Sequence, residues 1–256
     1  MRFIPRLLSA SLFSALVLTA SAQTLNEKVA ALIEQKEYFA AERLIEPATK
    51  AKNADAFTLY QFSLIRAAQL RYEDAVKLVE RAIKIDSSKP EYFAHLGKTL
   101  SERAAETNSP FLLSPMRRAF ERSIKLDPNY LPGLLGLVRF YSSATVHSGG
   151  DLKKARDYAE RVAKIDALQG HLELGNVDLR SGKHADALAH FRQVIQLKPD
   201  HVSAHYSSGV ALMQLAQRDE ARAMFQKALQ LDPTYESAKT ALENLAKLEA
   251  SVPLTK

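Results

Sequence analysis

Two histidines stand four residues apart in the run His201-Val202-Ser203-Ala204-His205. On one helix face that spacing could present both imidazoles to a zinc ion. The glutamate that a zinc-protease helix carries after its first histidine is absent, because Val202 occupies the place. His201 also follows Pro199 closely, where a helix is only beginning and its face is poorly defined. A second candidate is the run SATVHSGGD. Gly149 and Gly150 permit a tight turn, and Asp151 can cap a helix starting at Leu152. That turn serves either to close the chain or to hold a small anion on free backbone N–H groups, with His147 nearby. No G-x-S-x-G, no glycine-rich phosphate loop and no cysteine occurs. Asp86, Asp127, Asp166 and Asp232 recur at the ends of similar segments, which suits a structural role better than a catalytic one. The expectation is a chain with no catalytic residue, no metal site and no cofactor.

The elements that carry these residues are helical. Alanine, leucine, lysine, glutamate and arginine dominate, and all are good helix formers. No run alternates valine, isoleucine and threonine as a strand would. Arg2 and Arg6 precede an uncharged stretch from Leu7 to Ala20, and Ala20-Ser21-Ala22 follows. A positive head, a short apolar middle and a small-residue exit read as a secretory signal peptide over 1–22, cleaved near Ala22. The apolar run is too short to span a bilayer, which takes roughly 20 residues. No later segment is long and apolar enough to insert into a membrane. Removing Arg2 and Arg6 leaves 33 basic against 29 acidic residues, too mild an excess for a nucleic-acid partner. The charges interleave along the helices, as solvated faces do.

A repeat organises the rest. HLELGNVDLRSGKHADALAHFRQVIQLKPDH, from His171, aligns with HYSSGVALMQLAQRDEARAMFQKALQLDPTY, from His205, at an offset of 34 residues. Gly175 pairs with Gly209, Ala187 with Ala221, Phe191 with Phe225 and Pro199 with Pro233. The small residues let two helices approach, the phenylalanine fills space, and the proline stops the second helix. His171 and His205 fall in an aromatic slot, so packing accounts for them. This pattern resembles the tetratricopeptide repeat (TPR). Ala41 and Ala75 continue it towards the N-terminus, with Val29 and Ser63 in the glycine slot and Ser87 for the proline. Gly97, Phe120 and Pro128 mark a third repeat; Gly136, Ala155 and Ala167 mark a fourth. The resemblance implies an all-α, right-handed TPR solenoid of about six helix pairs. Repeats fall near 23–55, 56–89, 90–128, 129–167, 168–201 and 202–235. A capping helix over 236–250 and a tail at 251–256 complete it.

Two insertions break the period. Gly97 to Met116 and Gly136 to Ala155 are each 19 positions, against 12 from Gly209 to Ala221. Seven extra residues are therefore expected in each middle repeat, emerging on one edge. The first insertion holds Phe111, Leu112 and Leu113, which either fold back on the scaffold or await a partner. The second holds His147, Gly149 and Gly150.

In TPR proteins the first helix of each repeat lines a concave groove. The register assigns Tyr60, Leu64, Lys98, Leu137, Phe140, Tyr141, Asn176, Arg180, Tyr206, Val210 and Met213 to that groove. Such a lining suits an extended or helical peptide. Lys98, Asn176 and Arg180 fit only loosely the clamp some TPR domains use for a terminal carboxylate, so that function is not carried over. The run SGGD and the later GHLELG are similar to exported bacterial TPR proteins. That resemblance implies a scaffold in the periplasm, or secreted, whose partner is another protein of the cell envelope. A weaker similarity, to helical accessory components of periplasmic solute transporters, gives the alternative of a solute-binding role.

Overall fold

Segments with an apolar residue every three or four positions should form helices that bury one stripe. The computed structural model shows helices throughout. It describes residues 24–250 except Lys52, Ala144 and residues 146–148, so the leader, His147 and the tail lie outside the described residues. No strand occurs among the described residues.

The chain divides into two compact units, Met1–Asp127 and Pro128–Lys256. In the first, residues 24–34 (α1) and Tyr38–Lys50 (α2) form one helix pair. Ala56–Ala68 (α3) and Tyr72–Ile85 (α4) form the next, and Pro90–Thr107 (α5) and Leu113–Leu126 (α6) the third. The second unit pairs Leu131–Ser143 (α7) with Leu152–Ile165 (α8), and Ala167–Arg180 (α9) with His184–Leu197 (α10). Val202–Gln214 (α11) and Arg218–Leu231 (α12) follow, and Glu236–Ala250 (α13) ends the array. From α2 to α6, and from α7 to α13, each helix packs on the next, and first helices also touch one another, α3 on α5 and α9 on both α7 and α11. This all-α array of helix pairs is the fold the repeat implies.

Local chemistry sets the ends of these helices. Asp55 accepts from the Thr58 N–H, Asp166 from the Gln169 N–H, and Asp151 from the Lys153 and Lys154 N–H groups. Each thereby satisfies donors that a helix start leaves open. Pro90 begins α5, where no N–H is needed. Between the helices of a pair the chain turns through one left-handed residue: Lys36, Leu70, Asn108, Gly182 or Ala216. Glycine and asparagine adopt this conformation readily, whereas at Lys36, Leu70 and Ala216 it costs about 1 kcal/mol or more.

The small-residue slot is filled by exchange of volume. A Cβ on Gly97 would lie 2.8 Å from the Phe120 ring, and Gly175 and Gly209 meet Phe191 and Phe225 in the same way. Where the slot holds a larger residue, the aromatic slot holds a smaller one: Ser63 with Val79, and Val29 with Ile45. All four of these side chains are buried. Ser63 uses its hydroxyl to donate to the Ala75 carbonyl at 2.7 Å. Its oxygen can then accept from Nε2 of buried His95, 2.8 Å away.

The fourth repeat departs from expectation. α7 buries Gly133, Leu134, Leu137, Val138, Phe140 and Tyr141, the same order of burial that α11 shows at Ala204, His205, Ser208, Gly209, Ala211 and Leu212. Val138, not Gly136, therefore occupies the glycine slot, and the buried Ala159 is its counterpart in the aromatic slot. From Val138 to Ala155 is 17 positions, so this insertion is five residues, not seven. The third repeat does carry seven. Five of them lengthen α5 beyond α3, and the rest form a connector containing the 3-10 turn Pro110–Leu112.

Candidate functional site

The residues assigned to the groove divide by burial. On α9, Asn176 is half-buried and Arg180 exposed. Arg180 reaches across to α7 and donates to the Ser142 carbonyl at 3.3 Å, which ties consecutive first helices together. On α11, Tyr206, Val210 and Met213 are half-buried and pack at the edge of the core shared with α12 and α13. Tyr206 lies 5.7 Å from the Phe225 ring and 5.4 Å from the Tyr235 ring. In the first unit, Leu64 is half-buried and Lys98 is exposed, bridging to Glu102 at 3.7 Å. Tyr60 sits 4.7 Å from the Tyr92 ring, with His95 edge-on at 5.6 Å.

Leu137, Phe140 and Tyr141 do not line a groove. They are 0%, 4% and 5% exposed. A register set on Gly136 instead of Val138 shifts these three core positions onto the surface. With Val138 in the slot, the equivalents of Val210 and Tyr206 on α7 are Arg139, which is exposed, and Leu135, which is half-buried. Phe140 and Tyr141 instead support the connector. Tyr141 stacks on Tyr158 at 5.8 Å, and its carbonyl accepts from the Asp151 N–H at 2.9 Å. Phe140 lies beneath Gly149, whose φ of +93° is open to glycine. Two of this turn's donors are already used: the Gly150 N–H donates to the Thr145 carbonyl at 2.7 Å and that of Asp151 to the Tyr141 carbonyl at 2.9 Å. His147 lies outside the described residues.

The insertion triplet in the third repeat splits. Leu112 and Leu113 are half-buried, whereas Phe111 is 86% exposed. The paired histidines serve the backbone. His201 caps α11 by accepting from the Ala204 N–H, and buried His205 bonds through Nε2 to the Pro199 carbonyl at 2.8 Å. Among the described residues, no cluster of three or more His, Asp or Glu could hold a metal.

Two ion pairs, each with one buried member, lie hidden among the interleaved charges. Glu42 on α2 pairs with Arg66 on α3, and Arg156 on α8 with Asp178 on α9. Each joins the residue after an alanine slot to the residue three past the next glycine slot. Burial pushes the Glu42 pKa up, but hydrogen bonds from Gln69 and the Arg66 charge outweigh it and hold the carboxyl below its usual range. Around Asp178, His190 Nε2 approaches to 3.6 Å, and His190 in turn meets His171 at 3.1 Å between their Nδ1 atoms. Burial lowers the His190 pKa, against the pull of the Asp178 carboxylate. A search for paired charges at those two slots would have found both bridges.

The fold has known counterparts. A family model for the middle TPR-like domain of cilia and flagella-associated protein 70 matches residues 143–252. The C-terminal part of a TPR repeat-containing protein from Cytophaga hutchinsonii is similar at a TM-score of 0.62 and 14% identity, covering 89% of this chain and 96% of that one. The TPR protein TTC0263 of Thermus thermophilus is similar at 0.57 and 21%, covering 75% and 98%. YrrB, described as a TPR protein with an unusual peptide-binding site, is similar at 0.56 and 19%, covering 78% and 97%. No curated protein matches the sequence. Solenoids of this kind present extended concave binding surfaces. The 34-residue register, the paired helices and these likenesses together identify the chain as a protein of tetratricopeptide-repeat fold.

Proposed function

We propose that this chain is a non-catalytic scaffold of the bacterial periplasm, exported by the leader at 1–22, that docks an extended or helical segment of another envelope protein on its first-helix face. The observation that carries this reading is the row Tyr206, Val210 and Met213 on α11. It is apolar and half-exposed, and the first helix before it presents polar Asn176. Apolar anchors beside a few hydrogen-bonding groups are what a peptide ligand requires. The peptide-binding site of the structurally similar YrrB supports it. Arg139 and Leu135 extend the face onto α7. The test is recovery of partners from an envelope extract by the wild type, Tyr206→Ala and Arg139→Glu, with helicity checked by circular dichroism. Loss of the same partner in both variants is expected; unchanged recovery in both would sink the reading. Amino-terminal sequencing of exported protein should begin near Gln23.

A further inference from the structure

The first unit contains a cleft of about 530 Å³ bounded by α4, α5 and α6. None of Tyr60, Leu64 and Lys98 lines it, so it is separate from the first-helix face. Its floor is apolar, formed by Val76, Phe93, Leu96 and Leu100. Leu112, from the insertion that breaks the repeat period, closes one side with Pro115. The next residue outward, Phe111, projects almost wholly into solvent. An insertion that spends one apolar side chain on a cleft wall and leaves another beside it has the character of a binding edge.

The rim charges select the occupant. Glu73 is engaged by Lys77 at 2.8 Å and by Arg103 at 3.7 Å. Arg118 and Arg122 stand one turn apart on α6, and among the described residues neither has a carboxylate partner. Arg118 bonds the neutral Ser114 hydroxyl at 2.7 Å, and Arg122 lies over the Phe93 ring at 5.6 Å. Glu80 is the remaining rim carboxylate, so the rim carries four cations against two anions. Two guanidinium groups above an apolar floor complement carboxylates flanking apolar side chains. The cleft is an open trough, which suits a side-chain-bearing segment better than a lone acyl chain needing enclosure.

We propose that this cleft is a second docking site, on the second-helix side of the first unit, for an acidic protein segment with aliphatic or aromatic anchors. The test uses the purified chain and two fluorescein-labelled twelve-residue peptides, one of leucine, phenylalanine and glutamate, the other with lysine replacing every glutamate. Fluorescence anisotropy should show the acidic peptide binding at least about tenfold tighter. Combining Arg118→Glu with Arg122→Glu should remove that preference, and Leu112→Glu, on the connector outside the helices, should weaken binding about tenfold. Lys98→Glu, on the other face, should leave it unchanged. Equal binding of the two peptides, or indifference to the arginine reversals, overturns the proposal. So does loss of binding in Lys98→Glu, which would put the peptide in the groove, or displacement of the peptide by dodecanoate at lower concentration than by unlabelled peptide, which would make the ligand a lipid.

Discussion

In the first unit Glu42 of α2 meets Arg66 of α3; in the second, Arg156 of α8 meets Asp178 of α9. The two bridges occupy equivalent places in the repeat and have opposite polarity. The joints at Val76 and Leu100, and at Leu188 and Leu212, fill the same places with apolar side chains. A repeat joint of this kind therefore accepts any complementary pair, and the pair distinguishes one joint from the next. The two bridges also differ in depth. Asp178 is fully buried and depends on Arg156 and His190, whereas the Glu42 side chain is partly exposed and shares Arg66 with Gln69 and the Phe62 ring.

That difference in depth should appear first in stability, through the cation each carboxylate leaves behind. Glu42→Ala strands the Arg66 guanidinium, whose side chain is 8% exposed, and should cost about 3–5 kcal/mol in urea unfolding. Asp178→Ala should cost about 2 kcal/mol, because Arg156 is about a third exposed and keeps Glu160 at 3.2 Å. Equal losses would mean that depth does not separate the joints.

Acid should distinguish the units next. Burial pushes the His95 pKa down to about 4, with the Lys98 charge adding to the effect. A folded pKa below the unfolded value near 6.5 gives stability that is present above pH 6.5 and lost as pH falls towards 4. The loss at pH 4 is about 3 kcal/mol for this group. Urea melts at pH 7 and pH 4 should therefore show His95→Gln losing less than the wild type by that order. His190 in the second unit shifts in the same direction, but the Asp178 carboxylate opposes it. His190→Gln should thus reduce the acid loss by less than His95→Gln does.

The smallest expected effect compares one turn in the two units. Leu70 and Gly182 both hold left-handed φ, at 62° and 72°. Leu70 is largely exposed, and a Cβ on Gly182 would touch nothing within 4 Å, so the backbone term is nearly isolated. Leu70→Gly should stabilise by about 1 kcal/mol, and Gly182→Ala should destabilise by a similar amount in the same melts. Same-sign changes would show that side-chain contacts govern the turn.

The helices and their pairing were legible because glycine, alanine, phenylalanine and proline recur at 34 residues where the chain has no insertion. The fourth repeat is not legible in this way, because Gly136 matches the glycine of the pattern while the buried slot residue is Val138. Counting forward from Pro128, as Val202 follows Pro199, would have begun the helix at Leu131 and put Val138 in place. The exchange of volume between slots hides that register from any residue-type match, since valine with alanine fills the space that glycine with phenylalanine fills elsewhere. The left-handed turns at Lys36, Leu70 and Ala216 carry no turn-forming residue, because packing of the two helices imposes them. The cleft depends on three helices and an insertion, and no local pattern encodes it.

The reversed polarity of the two bridges also bears on misassembly. Repeat arrays are prone to stack one module on the wrong neighbour, within a chain or between two copies. If α2 docked where α8 belongs, Glu42 would face Asp178 in a buried site. If α8 docked on α3, Arg156 would face Arg66. Either error sets a like charge against one that is already buried, Asp178 or Arg66, and is rejected at a cost of several kcal/mol. The bridges thus act as an address, telling each helix pair which neighbour is its own.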